Sequence, residues 1–206
     1  MFYKINISPR YNLLFAFLFW FLAFSFIMRI VLIIWQYDEV SLNLFVIIRT
    51  LLTGLFYDIG TISYVLIPSL LYYFIVPNKW IGSWLDKTLV WFFTSLIIFI
   101  LVFTFFAEIT FWDEFKTRFN FIAVDYLIYT HEVVANIQES YPLPMLVSGV
   151  LMITSIILFV FYKLNIIKNT FHSKVSIKDR IITLSTGIAI TLFFTFFITN
   201  QQAEWS

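Results

Sequence analysis

The sequence predicts an all-α polytopic membrane protein, a bundle of five transmembrane helices with interfacial helices on the outer side of the membrane. Two observations support this fold class. Of the 206 residues, 61% are hydrophobic and 12% are charged, against roughly 45–50% and about 25% in an ordinary soluble domain. The charged residues are also confined to short stretches between long apolar runs, so most of the surface suits a bilayer and not water.

The first apolar run covers residues 12–35. It is too long for the core of a signal peptide, and no small-residue cleavage site follows it. We therefore interpret it as an uncleaved first crossing.

The second apolar run, residues 42–76, is longer than the roughly 20 residues of one crossing but too short for two. Gly54 and Gly60 lie near its middle. We therefore predict a break that separates an interfacial helix, residues 42–55, from a second crossing, residues 56–76.

The remaining three crossings are apolar runs of about one membrane thickness: residues 89–107, 145–162 and 181–199. A polar stretch, residues 108–144, separates the third crossing from the fourth, and we call it the outer segment. We find no internal repeat and no second domain, so residues 1–206 are predicted to form a single transmembrane domain.

The distribution of Lys and Arg predicts the orientation, because cytoplasmic loops retain positive charge. One side holds Lys4, Arg10, Lys79, Lys87, Lys163, Lys168, Lys174, Lys178 and Arg180. The other side holds only Arg29, Arg49, Lys116 and Arg118. We therefore expect a multi-pass protein of the bacterial inner membrane, with a cytoplasmic N-terminus and an extracytoplasmic C-terminus.

The outer segment alternates aromatic and charged residues, as interfacial structures do. Polar side chains recur in it at spacings of three and four residues: Asp125, Tyr129, Glu132, Asn136 and Glu139. This spacing predicts an amphipathic helix on the outer surface, ended by Pro142 and Pro144. The polar row could bind a cation or a lipid headgroup, although a solvated helix face is the commoner meaning of such a row.

Composition excludes several kinds of site. The chain has no cysteine and two histidines, so thiolate chemistry is excluded and a His-based metal cluster is not expected. A formal net charge of +1 gives no basic surface for nucleic acid. Asp113 and Glu114 are adjacent and would point about 100° apart on a helix, so they make a weak acid/base or metal pair.

Three charged residues lie in or beside apolar runs, where an unpaired charge is costly: Arg29, Arg49 and Asp58. We predict that they form an intramembrane ion pair. Nine residues separate Arg49 from Asp58, which places them on opposite faces of a continuous helix, so that pair requires the predicted break. Otherwise Arg29 of the first crossing is the natural partner. A proton or ion pathway is the functional alternative, but it would need more polar residues at this depth.

Four stretches carry a family resemblance: residues 54–58 (GLFYD), 111–115 (FWDEF), 118–130 (RFNFIAVDYLIYT) and 136–142 (NIQESYP). With these stretches the chain resembles the N-terminal membrane domain of the lipoteichoic acid synthase-like sulfatase family, Gram-negative type, in the alkaline-phosphatase superfamily. The resemblance extends over essentially the whole chain.

The resemblance implies a five-helix anchor followed by an extracytoplasmic catalytic domain. That domain would bind a divalent metal, often manganese, and use a threonine nucleophile to move phosphoglycerol or phosphoethanolamine groups or to act on sulfate or phosphate esters. Residues 1–206 contain no counterpart of its metal ligands or nucleophile, so we expect no catalytic residue and no cofactor in them. We expect either a piece of the larger enzyme or a truncated gene product.

The expected function is to anchor such a catalytic domain, whether covalently linked or separate, and to present its lipid substrate. The expected partners are thus that domain and membrane lipids, with no nucleic acid. Candidate headgroup contacts are Trp112, Asp113, Glu114, Arg118, Asp125, Tyr129 and Glu132. The alternatives are a membrane scaffold or a small transporter or channel, with Arg49, Asp58 and Glu108 along its path.

Overall fold

The computed structural model describes residues 8–37, 43–116 and 142–203. Within these residues all regular structure is helical, without strands. A short 3-10 turn, Pro9–Tyr11, precedes six helices: α1 (Asn12–Trp35), α2 (Leu44–Ile75), α3 (Trp84–Phe115), α4 (Leu143–Lys163), α5 (Ile166–Thr170) and α6 (Ile177–Ala203).

Five of these helices are long and apolar enough to cross a membrane, namely α1 to α4 and α6. This finding confirms the predicted fold class of an all-α, multi-pass membrane protein. The remaining helix, α5, lies in the basic stretch between the fourth and fifth crossings and is five residues long.

The predicted break in the second apolar run is wrong, because α2 continues without interruption from Leu44 to Ile75. Glycine costs a helix only about 1 kcal/mol relative to alanine, so Gly54 and Gly60 do not end it. With 32 residues, α2 is about 48 Å long, whereas the hydrocarbon core is about 30 Å thick. Residues 42–55 therefore do not form a separate helix in the part that the structure describes.

Helix α3 is also longer than predicted. It begins at Trp84 and ends at Phe115, so the first residues of the predicted outer segment extend the third crossing. No proline or glycine interrupts residues 108–115, and the helix continues through them. Residues 117–141 lie outside the described part of the chain, so the amphipathic outer helix stays a prediction.

The chain divides into two compact units, Met1–Lys87 with Ile166–Ser206, and Thr88–Asn165. In the first unit, α2 packs against both α1 and α6. One core of this unit contains Tyr11, Leu14, Leu70, Tyr73 and Val175. It joins the start of α1 to the end of α2 and to the loop before α6.

Helices α2 and α6 run antiparallel in close contact. Gly60 leaves room for Phe194, because an added Cβ would lie 2.8 Å from the Phe194 Cδ1 atom. The ring of Phe56 lies 4.8 Å from that of Phe194. One turn farther along α2 than Gly60, the hydroxyl groups of Tyr64 and Thr195 are hydrogen-bonded at 2.5 Å.

The second unit contains α3 from Thr88 onward and α4. The Trp91 and Tyr162 rings are 6.5 Å apart, and Gly149 faces the Phe106 ring. These two contacts show that α3 and α4 are antiparallel neighbours. Among the described residues of the second unit, the buried apolar side chains are Val90, Ile98, Val102, Val150, Ile157 and Phe161.

Candidate functional site

A buried ion pair joins α1 to α2. The Arg29 guanidinium donates two parallel hydrogen bonds to the Asp58 carboxylate, with 2.6 Å from Nη1 to Oδ2 and 2.7 Å from Nη2 to Oδ1. The two side chains are 6% and 10% exposed. Such a bidentate geometry satisfies both carboxylate oxygens and is the strongest arrangement that Arg and Asp can form.

Gly54 makes this ion pair possible. It lies one helical turn before Asp58, on the same face of α2. A Cβ atom at Gly54 would overlap the Nε and Cζ atoms of Arg29. The missing side chain therefore lets the arginine lie against the α2 backbone while its guanidinium reaches the carboxylate. Sequence reasoning used Gly54 as a helix break and missed this role, for which the glycine-to-aspartate spacing was the available signal.

Arg49 does not take part in the pair. It is exposed, and no ion pair among the described residues includes it. Because α2 is continuous, the spacing of nine positions from Arg49 to Asp58 places the two side chains on opposite faces. Of the two predicted partners, Arg29 is the one that pairs with Asp58 in the structure.

A second buried ion pair, which sequence reasoning missed, joins Arg10 to Asp86. The Arg10 Nη2 and Nη1 atoms lie 2.8 and 3.0 Å from Asp86 Oδ1 and Oδ2. The Tyr72 hydroxyl and the Gly82 backbone N–H also donate to this carboxylate, at 2.6 and 2.8 Å. Arg10 in turn donates to the Thr170 carbonyl at 3.1 Å. Four chain segments thus meet at one saturated polar cluster.

Gly82 has a φ of +76°, a backbone conformation that residues other than glycine rarely adopt. An added Cβ would lie 3.0 Å from the Phe171 carbonyl oxygen. The glycine thus allows both the turn that aims its N–H at Asp86 and the close approach of the loop before α6.

Arg180 caps the carboxyl end of α2. Its Nη1 atom donates to the carbonyls of Tyr73 and Phe74, each at 3.1 Å, and to the carbonyl of Val76. Its Nη2 atom donates to Asn78 Oδ1 at 2.7 Å. The last carbonyls of a helix lack hydrogen-bond donors within the helix, and they carry partial negative charge. The buried Arg180 guanidinium supplies both the donors and the opposite charge.

The far end of α3 holds the described part of the predicted headgroup site. Trp112 is half-buried, whereas Asp113 and Glu114 are exposed. Lys116 lies 3.6 Å from Asp113. The Trp112 Nε1 atom is buried, and no described residue accepts its hydrogen bond. The other four candidates, Arg118, Asp125, Tyr129 and Glu132, lie outside the described residues.

No group of three or more His, Asp or Glu side chains suited to a metal ion occurs within residues 8–37, 43–116 and 142–203. Both buried ion pairs hold helices to one another, and the end of α3 offers exposed carboxylates beside an indole.

No protein-family model, curated protein or solved structure matches this chain. The resemblance to the lipoteichoic acid synthase-like sulfatase family therefore depends on four stretches, residues 54–58, 111–115, 118–130 and 136–142.

Proposed function

We propose that this chain is the membrane-anchoring and lipid-presenting domain of a lipoteichoic acid synthase-like phosphoglycerol or phosphoethanolamine transferase. The observation that supports an anchor best is the pairing of buried charges in and beside the spanning helices. Arg29 and Asp58 satisfy each other, and Arg10 and Asp86 do the same. Such pairs fix the relative position of helices.

A transporter or channel is less compatible with these contacts. Charges along an ion path must exchange partners with the transported ion or with water. Both oxygens of Asp58 accept hydrogen bonds from Arg29, and Arg49 is exposed on the opposite face of α2. These two members of the alternative pathway therefore do not line one common path.

The length of α3 supports a role at the lipid headgroups. From Asp86 to Trp112 the helix rises about 39 Å, which exceeds the roughly 30 Å hydrocarbon core. If Asp86 lies near one boundary of the core, the last turns of α3 project beyond the other. Tryptophan prefers this interface, and a phosphate or glycerol oxygen that enters beside the indole would satisfy the buried Trp112 N–H, which has no acceptor among the described residues.

The proposed location is the bacterial inner membrane, with the N-terminus in the cytoplasm and the end of α3 outside. The lysines near the start of α1 and the end of α2 support this orientation, because positive charge is retained on the cytoplasmic side. A divalent metal such as manganese and the threonine nucleophile would belong to the catalytic domain, linked or separate. The residues of this chain would hold the lipid near that domain.

Lipid contact at the end of α3 can be tested with photoactivatable phosphatidylglycerol and phosphatidylethanolamine in nanodiscs. We expect headgroup crosslinks to map by mass spectrometry to residues 111–116. Trp112→Phe removes the indole donor and should lower their yield several-fold, whereas Trp91→Phe, near the other end of α3, should not. Equal yields in both variants, or headgroup crosslinks spread evenly along α3, would contradict lipid presentation.

The transferase assignment needs a separate assay. The protein, purified at its natural length from its host, is reconstituted with both lipids and manganese, and the release of diacylglycerol is measured. Headgroup transfer from either lipid supports the assignment, and its absence from both contradicts it. Ion flux in the same liposomes would favour the transporter alternative.

A further inference from the structure

Two loops at the end of the first unit where α1 begins are held together by hydrogen bonds. They are residues 77–83, between α2 and α3, and residues 171–176, between α5 and α6, and we call them the loop platform. The Asn78 side chain donates to the Val175 carbonyl at 2.9 Å and accepts from the Val175 N–H at 3.2 Å. A single amide thus satisfies both backbone groups of a residue that is distant in sequence.

Further contacts fix the loop platform. Arg180 donates to the same Asn78 oxygen at 2.7 Å, Gly82 packs against the Phe171 carbonyl, and Val175 is only 3% exposed. The two loops therefore have a defined relative position.

Several exposed lysines lie on or beside the loop platform. Lys79 comes from the first loop and Lys174 from the second, while Lys178 follows in the first turn of α6, and all three are exposed. Lys87 and Lys168 are exposed on the adjoining helices. No ion pair among the described residues includes any of these lysines.

Acidic residues do not balance these lysines. In residues 77–87 and 166–180 the carboxylates are those of Asp86 and Asp179. Asp86 is buried and neutralised by Arg10, which leaves Asp179 as the exposed one. In these two ranges, five exposed lysines are thus balanced by one exposed carboxylate.

Two tryptophans indicate what covers this charge. Trp80, in the first loop, is 51% exposed, and Trp84, at the start of α3, is 79% exposed. Exposed indoles beside the ends of spanning helices favour the membrane–water interface. At that depth the lysines lie at the level of lipid phosphates, which favours lipid over a soluble acidic protein.

We propose that the loop platform binds the headgroups of anionic phospholipids in the leaflet where α1 begins. Lys79, Lys174 and Lys178 contact the phosphates, and the indoles of Trp80 and Trp84 lie among the headgroups. The Asn78–Val175 hydrogen bonds bring together lysines that are far apart in the sequence. This inference is independent of the proposed function, because it concerns neither the end of α3 nor catalysis.

The test is the retention of phosphatidylglycerol over phosphatidylcholine in mixed nanodiscs, quantified by native mass spectrometry. Each lysine near an anionic surface contributes about fivefold in affinity. Replacing Lys79, Lys174 and Lys178 by glutamine should therefore lower the enrichment at least about tenfold. The matched variant with arginine at the same three positions should keep it, and added salt should weaken the wild-type enrichment.

A second variant separates geometry from net charge. Asn78→Ala keeps every lysine but removes the hydrogen bonds to Val175 and Arg180, so it should retain less phosphatidylglycerol than wild type. Arg49→Gln removes one exposed charge near the start of α2, at the opposite end of that helix from the loop platform, and should have no effect. Equal enrichment in the wild type and the triple glutamine variant would overturn the proposal. Wild-type binding of soluble polyglutamate without preference for phosphatidylglycerol would overturn it in favour of a protein partner.

Discussion

The side chain of Arg29 lies directly against the backbone of Gly54, where any Cβ atom would collide with it. This contact carries the guanidinium across α2 to the carboxylate of Asp58, one turn away. The ion pair therefore depends on three residues, of which only two are charged.

Gly54→Ala should destabilise the protein although alanine is the better helix former. The added methyl group displaces Arg29, and separating a buried pair costs about 3–5 kcal/mol, against a gain of about 1 kcal/mol in helix propensity. Unfolding in mixed micelles with increasing SDS measures the change. Gly149→Ala is the matched control, because its Cβ would lie 3.6 Å from the nearest Phe106 atom and should be neutral or stabilising. Equal stability of both variants would show that Arg29 has another route to Asp58.

Asp58→Asn should lower the free energy of unfolding by about 3–5 kcal/mol, because it leaves the buried Arg29 without a counter-charge. The double variant Arg29→Met/Asp58→Leu should recover much of this loss, since an apolar pair needs no neutralisation. A double-mutant cycle in the same unfolding assay measures the coupling. If Asp58→Asn were as stable as the wild type, that result would contradict a structural role for the ion pair.

Tyr72→Phe should cost about 1.5–3 kcal/mol, the range for a hydrogen bond to a charged group. Its hydroxyl donates to Asp86 at 2.6 Å inside the buried cluster. Tyr64→Phe is the comparison, because its hydroxyl bonds the neutral Thr195 and should cost only about 0.5–1.5 kcal/mol. The reverse order of the two losses would contradict a charge-assisted bond at Asp86.

Gly82→Ala should destabilise the turn between α2 and α3 by about 1–2 kcal/mol, the cost of the left-handed conformation for a residue with a Cβ. Hydrogen exchange should increase at residues 77–83 and 171–176 together, because the same glycine lies against the Phe171 carbonyl. Asn165→Gly provides the control, since this exposed residue has a φ of 55° and the change should stay within about 0.5 kcal/mol. Increased exchange in only one of the loops would contradict their coupling.

Sequence reasoning identified Asp58 as a charge that needs a partner, because an unpaired carboxylate in an apolar run is costly wherever the run folds. It could not choose between Arg29 and Arg49, since the choice depends on whether α2 is continuous. The break at Gly54 and Gly60 was the wrong inference. Both glycines lie inside a helix because they admit Arg29 and Phe194 from neighbouring helices, and those contacts cannot be read from α2 alone.

The Arg10–Asp86 cluster was missed for a related reason. Arg10 lies among the flanking positive charges in the sequence, and Asp86 precedes an apolar run by a few residues, so neither looks buried. Both are removed from solvent only when the turn before α1 meets α2, the loop after α2, α3 and α5. The candidates Arg118, Asp125, Tyr129 and Glu132 remain predictions, because they lie outside the described residues.

The sequence by itself determined that this is a multi-pass helical membrane protein, with five apolar helices of spanning length in the part of the chain that the structure describes. The hydropathy of a segment depends only on its own residues. A run of about 20 apolar residues therefore predicts a membrane-spanning helix whatever the other helices do. The tertiary structure alone decided that Arg29 pairs with Asp58, that Arg10 meets Asp86, and that the two loops carrying Lys79 and Lys174 are joined. Ion pairs and close packing depend on distances of a few ångströms between segments remote in sequence, and these distances are set only when the helices pack.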